Sequence, residues 1–303
     1  MNQVNIVVVG SLNMDLVVRT PRHPEIGETI IGTQFQTFPG GKGANQAVAA
    51  ARLGGSVKMV GRVGSDGFGE SLLRTVAADG VDTRFIRRDP EAATGVALIT
   101  VDEAGKNTIV VASGANARLT PQDVSEAEEL FKEAAVLVLQ LESPLPAVTR
   151  AIELAHQYGA RIVLNPAPAQ KLENKFLRSV DYLIPNQTEL FLLTGINSVQ
   201  ESIAYLHNIG VAHLIVTLGE DGSLVAENGQ ITQLGAFPVQ AVDTTAAGDA
   251  FVGAFAVALT EGLDTQLASI WGNAAGALAV TRPGAQPSLP SRDEFDLFLS
   301  RSR

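Results

Sequence analysis

Apolar residues along the chain follow two alternating patterns. Residues 4–9, from Val4 to Val9, form a β-branched run that stops at Gly10, as expected of a buried strand whose end opens onto a site. Similar short runs predict strands at 57–60, 136–141, 161–164, 182–184 and 213–217. Between and after them, helical spacing predicts helices over 47–53, up to about Gly80, over 121–133 behind the Thr120-Pro121 cap, and over 145–158, 248–262, 267–280 and 294–299. Polar or Gly-rich residues close most of the strands: Glu142, Asn165-Pro166, Pro185-Asn186 and Leu218-Gly219. Open α/β sheets bind ligands at that edge, so an α/β fold with a site there is expected.

Two stretches break the alternation. Residues 16–38 mix β-branched and aromatic residues with Pro21, Pro24, Gly27 and Gly32, which predicts strands and turns without a helix. Residues 94–101 and 108–112 flank a polar turn and predict a hairpin. Together they form one small sheet, about 12–40 and 94–113, whose apolar face must be covered by the main body or by another subunit. A second hairpin is expected over Asn228-Gly229, and 281–288 is too rich in Gly and Pro to be helical. Without repeats or linkers, residues 1–303 read as a single domain.

Composition narrows the classes of function. The 303 residues are 46% hydrophobic and carry a net charge of −10, with 22 scattered Lys and Arg, so no basic face faces nucleic acid or an anionic membrane. Cysteine is absent, which removes disulfide and thiolate chemistry. His23, His156, His207 and His213 lack metal-ligand spacing. No basic leader precedes the first apolar run and no run reaches bilayer-spanning length, so a cytoplasmic protein is expected.

Three stretches carry candidate chemistry. Asp243-Thr244-Thr245-Ala246-Ala247-Gly248-Asp249 runs small residues into an apolar helix, leaving backbone N–H groups open to an anion. Asp249 would repel that anion, unless its task is to take a proton. Gly40-Gly41-Lys42-Gly43-Ala44-Asn45-Gln46 allows close backbone approach, but it is not a phosphate loop of the GxxxxGK[ST] type. Asn13 and Asp15 lie two apart, so in a strand both could face adjacent hydroxyls, whereas an Asx turn is the better reading of the pair on its own.

These stretches, with Pro185-Asn186-Gln187-Thr188-Glu189, Thr217-Leu218-Gly219, Asn273 and Thr281-Arg282-Pro283-Gly284-Ala285-Gln286, resemble the ribokinase-like (PfkB) carbohydrate kinases over essentially the whole chain. The resemblance implies a three-layer αβα sandwich with a small β-sheet lid that closes over the sugar and pairs with the lid of a second subunit in a homodimer. It implies ATP-dependent phosphorylation of D-ribose at O5. A fructokinase, a deoxyribokinase or a silent sugar or nucleotide sensor are the competing readings.

By the same resemblance, Asn13, Asp15, Gly41 and Asn45 would bind sugar hydroxyls, with Glu142 nearby. Lys42 would add positive charge, although a lysine solvated on a Gly-rich turn is an equal reading. Asp249 would be the general base, and the amides of Ala246, Ala247, Gly248 and Asp249 an anion hole. ATP would meet Asn186, Thr217, Leu218, Gly219, Gly222, Gly248 and Asn273, while Glu189 would orient Mg²⁺ through water. A K⁺ ion would sit at Asp243, Thr245, Ala279, Arg282, Gly284 and Ser288. A dinucleotide-binding dehydrogenase is disfavoured because Gly10 opens no GxGxxG turn.

Overall fold

A computed structural model describes residues 5–301; Val4 of the expected first strand lies outside the described residues. Strands follow in the order β1 (Asn5–Val9), β2 (Asn13–Arg19), β3 (Gln34–Gly40), β4 (Ser56–Gly64), β5 (Asp82–Asp89), β6 (Gly95–Val101), β7 (Asn107–Ala112), β8 (Ala134–Leu139), β9 (Arg161–Leu164), β10 (Tyr182–Leu183), β11 (His213–Thr217), β12 (Ser223–Glu227) and β13 (Gln230–Leu234). Nine of them form one sheet in the order β13-β12-β11-β10-β9-β8-β1-β4-β5, in which β12 alone runs antiparallel to the others. From β1 the chain builds β4 and β5 on one side, then crosses to β8 and proceeds outward to β11 on the other. The strand order therefore reverses beside β1, where connections diverge and leave a crevice at the carboxyl ends.

All five residues of β1 are buried. Ile6 and Val8 pack into one apolar layer with Val48, Phe251 and Phe255; Val7 and Val9 pack into the other with Val148, Leu154 and Leu190. This is the αβα sandwich, and each fully buried branched side chain contributes about 1.5–3 kcal/mol to it. No helix among the described residues is long and apolar enough to cross a membrane.

Several expected boundaries shift for local reasons. The helix expected over 47–53 begins at Lys42 and runs to Arg52, with Gly41 as its N-cap, so the Gly-rich stretch forms its first turn. The helix expected over 121–133 is two helices, Pro121–Glu126 and Glu128–Phe131, the first held by a capping box between Thr120 and Asp123. Strand β5, at the sheet edge, was not expected because Arg and Asp occupy much of it. Helices Gln187–Thr194 and Val199–Asn208 were also not expected. Loop 281–288 contains one 3₁₀ turn, Gln286–Ser288. The Asn228-Gly229 hairpin forms as expected, with φ of 51° and 74° at its turn.

The second sheet is β3-β2-β6-β7. Its root is a single rung on which Asn13 pairs with Gly40 on one side and Gly95 on the other. Strand alternation turns Asn13, Asp15 and Val17 toward the crevice. Leu16, Phe35, Leu98 and Val110 fall on the opposite face, where Phe35, Leu98 and Val110 are exposed.

Candidate active site

The small sheet and the carboxyl edge of the large one enclose a cleft of about 770 Å³ lined by Asn13, Asp15, Gly41, Lys42, Asn45, Glu142 and Asp249. Asn13 and Asp15 are strand residues of β2, so the Asx-turn reading does not hold. Asn116, which the sequence reading missed, fixes Asn13: its Oδ1 accepts from Leu12 N at 2.9 Å, and its Nδ2 donates to Leu12 O at 2.9 Å and to Asn13 Oδ1 at 2.8 Å. That partner is 103 residues away, and no local pattern marks Asn116. On the opposite wall, Ser11 Oγ and Lys42 N both donate to Glu142 Oε2.

A smaller cleft of about 180 Å³ adjoins it, lined by Asn165, Asn186, Glu189, Thr217 and Gly248. Lys42, Thr244, Ala246 and Asp249 line both. Asp249 is 7% exposed and stands in the first turn of helix Ala247–Thr260. Its Oδ2 accepts from Asn45 Nδ2 and its Oδ1 from Gln46 Nε2, each at 2.9 Å. Ala246, the N-cap, is left-handed at φ 60°; a left-handed residue followed by helical ones turns successive N–H groups into one concavity suited to an anion. The Ala247 N–H points to Thr244 O at 3.3 Å, so Gly248 and Asp249 hold the more available first-turn amides.

The remaining residues expected to meet a nucleotide are less tightly gathered. Asn186 and Glu189 form a capping box at the start of helix Gln187–Thr194, the Asn186 side chain accepting from Glu189 N and the Glu189 carboxylate from Asn186 N. Thr217 bridges to Asn186. Leu218, Gly219, Gly222 and Asn273 line neither cleft. Gly222 and Asn273 do meet at one place: a Cβ on Gly222 would lie 2.1 Å from Leu234 O, and Asn273 Nδ2 donates to that same carbonyl at 3.4 Å.

Of the residues expected around a monovalent cation, Asp243, Thr245 and Gly284 are in contact. Asp243 Oδ1 accepts from the Thr245 N–H and hydroxyl, and its Oδ2 from Gly284 N at 2.8 Å. Burial pushes the Asp243 carboxyl up, but these hydrogen bonds outweigh it and hold it below its ordinary value. The Arg282 side chain instead pairs with Glu294, Ser288 Oγ donates to Ala285 O, and the carbonyl of Ala279 accepts from Arg282 N. Any part these three play falls to their backbone carbonyls.

Comparison with known proteins bears on this arrangement. Residues 3–292 match the model of the pfkB family of carbohydrate kinases. The ribokinase of Haemophilus influenzae is 41% identical over 302 residues, covering 98% of this chain and 99% of the relative. The chain belongs to the pfkB carbohydrate kinase family. A deoxyribokinase of Salmonella typhi is 38% identical over 302 residues, 98% of this chain and 99% of that one. Among solved structures, the Arabidopsis thaliana ribokinase complexed with ribose and ATP superposes with a TM-score of 0.91 at 34% identity, covering 97% of this chain and 98% of that one.

Electrostatics tie the two clefts of this carbohydrate kinase together. Burial alone would lower the Lys42 pKa, yet Asp249, Glu142, Glu189 and Asp15 surround the ammonium and raise it above its ordinary value. Lys42 is half-buried and lines both clefts, so it is not a solvated surface lysine. Glu189 is pushed up by burial, against the pull of Asn186 N–H and Lys42. Asp15 is pushed up to about 7, first by burial and then by Glu142 and Asp249, with Lys42 opposing.

An acid whose folded pKa exceeds its unfolded value binds more protons when folded, so ionising it costs stability as pH rises through the window from 3.8 to about 7. Asp15→Asn should therefore raise Tm at pH 8 and leave it nearly unchanged at pH 4. In the wild-type kinase, the sugar KM should climb as pH falls below 7, approaching tenfold per unit, while the ATP KM stays level. Calorimetric melts and pH-dependent initial rates measure both; a pH-independent sugar KM would remove Asp15 from sugar recognition.

Proposed function

We propose that this kinase transfers the γ-phosphoryl group of ATP to O5 of D-ribose, giving ribose 5-phosphate and ADP. The observation that carries the reading is Asp249, on the wall common to the larger and the smaller cleft. The sugar occupies the larger cleft, with Asn13 and Asp15 receiving its neighbouring hydroxyls. Asp249 takes the O5 proton as O5 attacks phosphorus, and the bond from phosphorus to the β,γ-bridging oxygen breaks in line. The Gly248 and Asp249 amides and the Lys42 ammonium face the charge on the transferring group without having to reorganise.

The donor set fits the cations that the family resemblance implies. Among the described residues no three His, Cys, Asp or Glu side chains gather as a metal cluster, but Mg²⁺ in phosphoryl-transfer sites takes few protein carboxylates beside the phosphates themselves. Glu189, lining the smaller cleft, would hold it through water, and the ion would supply neutralisation of phosphate charge. Asp243, kept ionised, with Thr245 and the carbonyls of Ala279, Arg282, Gly284 and Ser288, offers the all-oxygen environment of a hard monovalent cation.

Relatives named as ribokinases and a ribose and ATP complex of a close structural neighbour support ribose as the acceptor. A deoxyribokinase at 38% identity favours 2-deoxyribose as the second reading. A site that hydrogen-bonds a hydroxyl rejects an analogue lacking it. Ribose should thus exceed 2-deoxyribose and fructose in kcat/KM by about 100-fold or more, and K⁺ should exceed Na⁺ in support of turnover. ADP release from a sugar panel in both salts reads each arm: higher kcat/KM for deoxyribose or fructose overturns ribose, and equal rates in both salts remove the K⁺ site.

The exposed Phe35, Leu98 and Val110 on the outer face of the lid support its pairing with the lid of a second copy. Leu98→Asp should then shift the sedimenting species from dimer to monomer. A wild-type chain that sediments as a monomer at micromolar concentration would end this part of the reading.

A further inference from the structure

The scheme above leaves Gln46 and Gln140 without a task. Both are 1% exposed, and neither lines either cleft. Buried amides are costly unless bonded, and these are bonded in one directed chain. Gln140 Nε2 donates to Gln46 Oε1 at 2.6 Å. Gln46 Nε2 donates to Asp249 Oδ1 at 2.9 Å and to Asn165 Oδ1 at 3.1 Å. Asn165 Nδ2 donates in turn to Ile184 O at 2.9 Å.

The direction of the chain follows from its ends. A carboxylate and a backbone carbonyl only accept, so Gln46 must turn its NH₂ to Asp249 and Asn165 its NH₂ to Ile184. The oxygen of Gln46 then faces Gln140, which has to answer with its own NH₂. Gln140 does so although its Oε1 meets no donor among the described residues. Gly10 makes room there, since a Cβ on it would fall 2.1 Å from that oxygen.

Helix packing brings the chain to the carboxylate. Gln46 rides on helix Lys42–Arg52 and Asp249 on helix Ala247–Thr260, and the two close together at Gly253, where a Cβ would lie 2.5 Å from Ala49 Cβ. Asn45 then reaches one oxygen of Asp249 and Gln46 the other. Two donors on two oxygens fix the plane of the carboxylate.

We infer that Gln46 is a positioning residue for the catalytic carboxylate, and that Gln140 acts through it by supplying the donor that holds the Gln46 oxygen once the Gln46 NH₂ is turned to Asp249. The inference rests on the reading of Asp249 as the base. Without the Gln46 donor, the carboxylate turns about its last torsion, and the base loses its aim at O5 while the sugar and ATP pockets stay intact.

The test compares Gln46→Met, Gln140→Met and the double variant with wild type, using D-ribose and Mg-ATP, or whichever sugar the panel shows to be turned over. Gln46→Met should lower kcat about 10- to 100-fold with both KM values within about threefold. Gln140→Met should lower kcat by about fivefold, and the double variant should be no slower than Gln46→Met alone, because Gln140 works only through Gln46. Multiplying losses in the double variant, a kcat within twofold for Gln46→Met, or a loss confined to KM would each overturn the relay. Should Gln46→Met not fold, Gln140→Met carries the test: a lower kcat at constant KM supports the relay and an unchanged kcat overturns it. Wild-type kcat in an Asp249→Asn enzyme would instead defeat the base assignment itself, so the two failures are distinguishable.

Discussion

Asp249→Asn should lower kcat by about 10³- to 10⁴-fold while leaving the dissociation constant of the sugar within a few-fold. The substitution keeps the shape but removes the proton acceptor. It also places an NH₂ against one of the two amide donors, from Asn45 and Gln46, that the carboxylate now satisfies. Two N–H groups then face each other in a buried site, which adds misorientation to the loss of basicity. Single-turnover kinetics and calorimetry of sugar binding separate chemistry from affinity. A variant retaining kcat within tenfold of wild type would exclude Asp249 as the base.

Lys42→Met should lower kcat by about 10²- to 10³-fold, because the ammonium is the cation on the wall where the clefts meet. A second effect distinguishes this lysine from a simple phosphate contact. Lys42 is the group that opposes the upward push on Asp15, so its loss should shift the rise in sugar KM toward higher pH. The pH dependence of that KM in both proteins is the measurement. Superimposable profiles would mean that Lys42 and Asp15 are not coupled.

Much of the frame could be read locally. Residues 145–158 carry helical spacing from end to end, and helix Leu145–Tyr158 keeps those limits. β9 and β11 also coincide with their apolar runs, as buried parallel strands have little else to write in sequence. Edge position hid β5, whose exposed Arg84, Arg87 and Arg88 mask the alternation. Cleft-lining residues on short motifs, such as Lys42, Asn45 and Asp249, stood out as candidates because turn chemistry and charge occur there in unusual combination. Asn116, Ser11, Gln46 and Gln140 were not assigned roles, because their meaning lies in partners 94 to 203 residues away. A buried amide has no signature until its neighbours are known.

The rung at the root of the lid has one more consequence. Asn13 pairs there with Gly40 and Gly95, and a Cβ on Gly95 would fall 2.2 Å from Asn13 Oδ1, while one on Gly40 would fall 2.4 Å from Asp15 Oδ2. Asn13 and Asp15 are therefore packed against bare backbone at the root of the small sheet, where neither glycine leaves room for a side chain. A larger residue at Gly95 would press on Asn13 and one at Gly40 on Asp15, so the pairing of the small sheet and the cleft wall cannot be altered separately at these two positions.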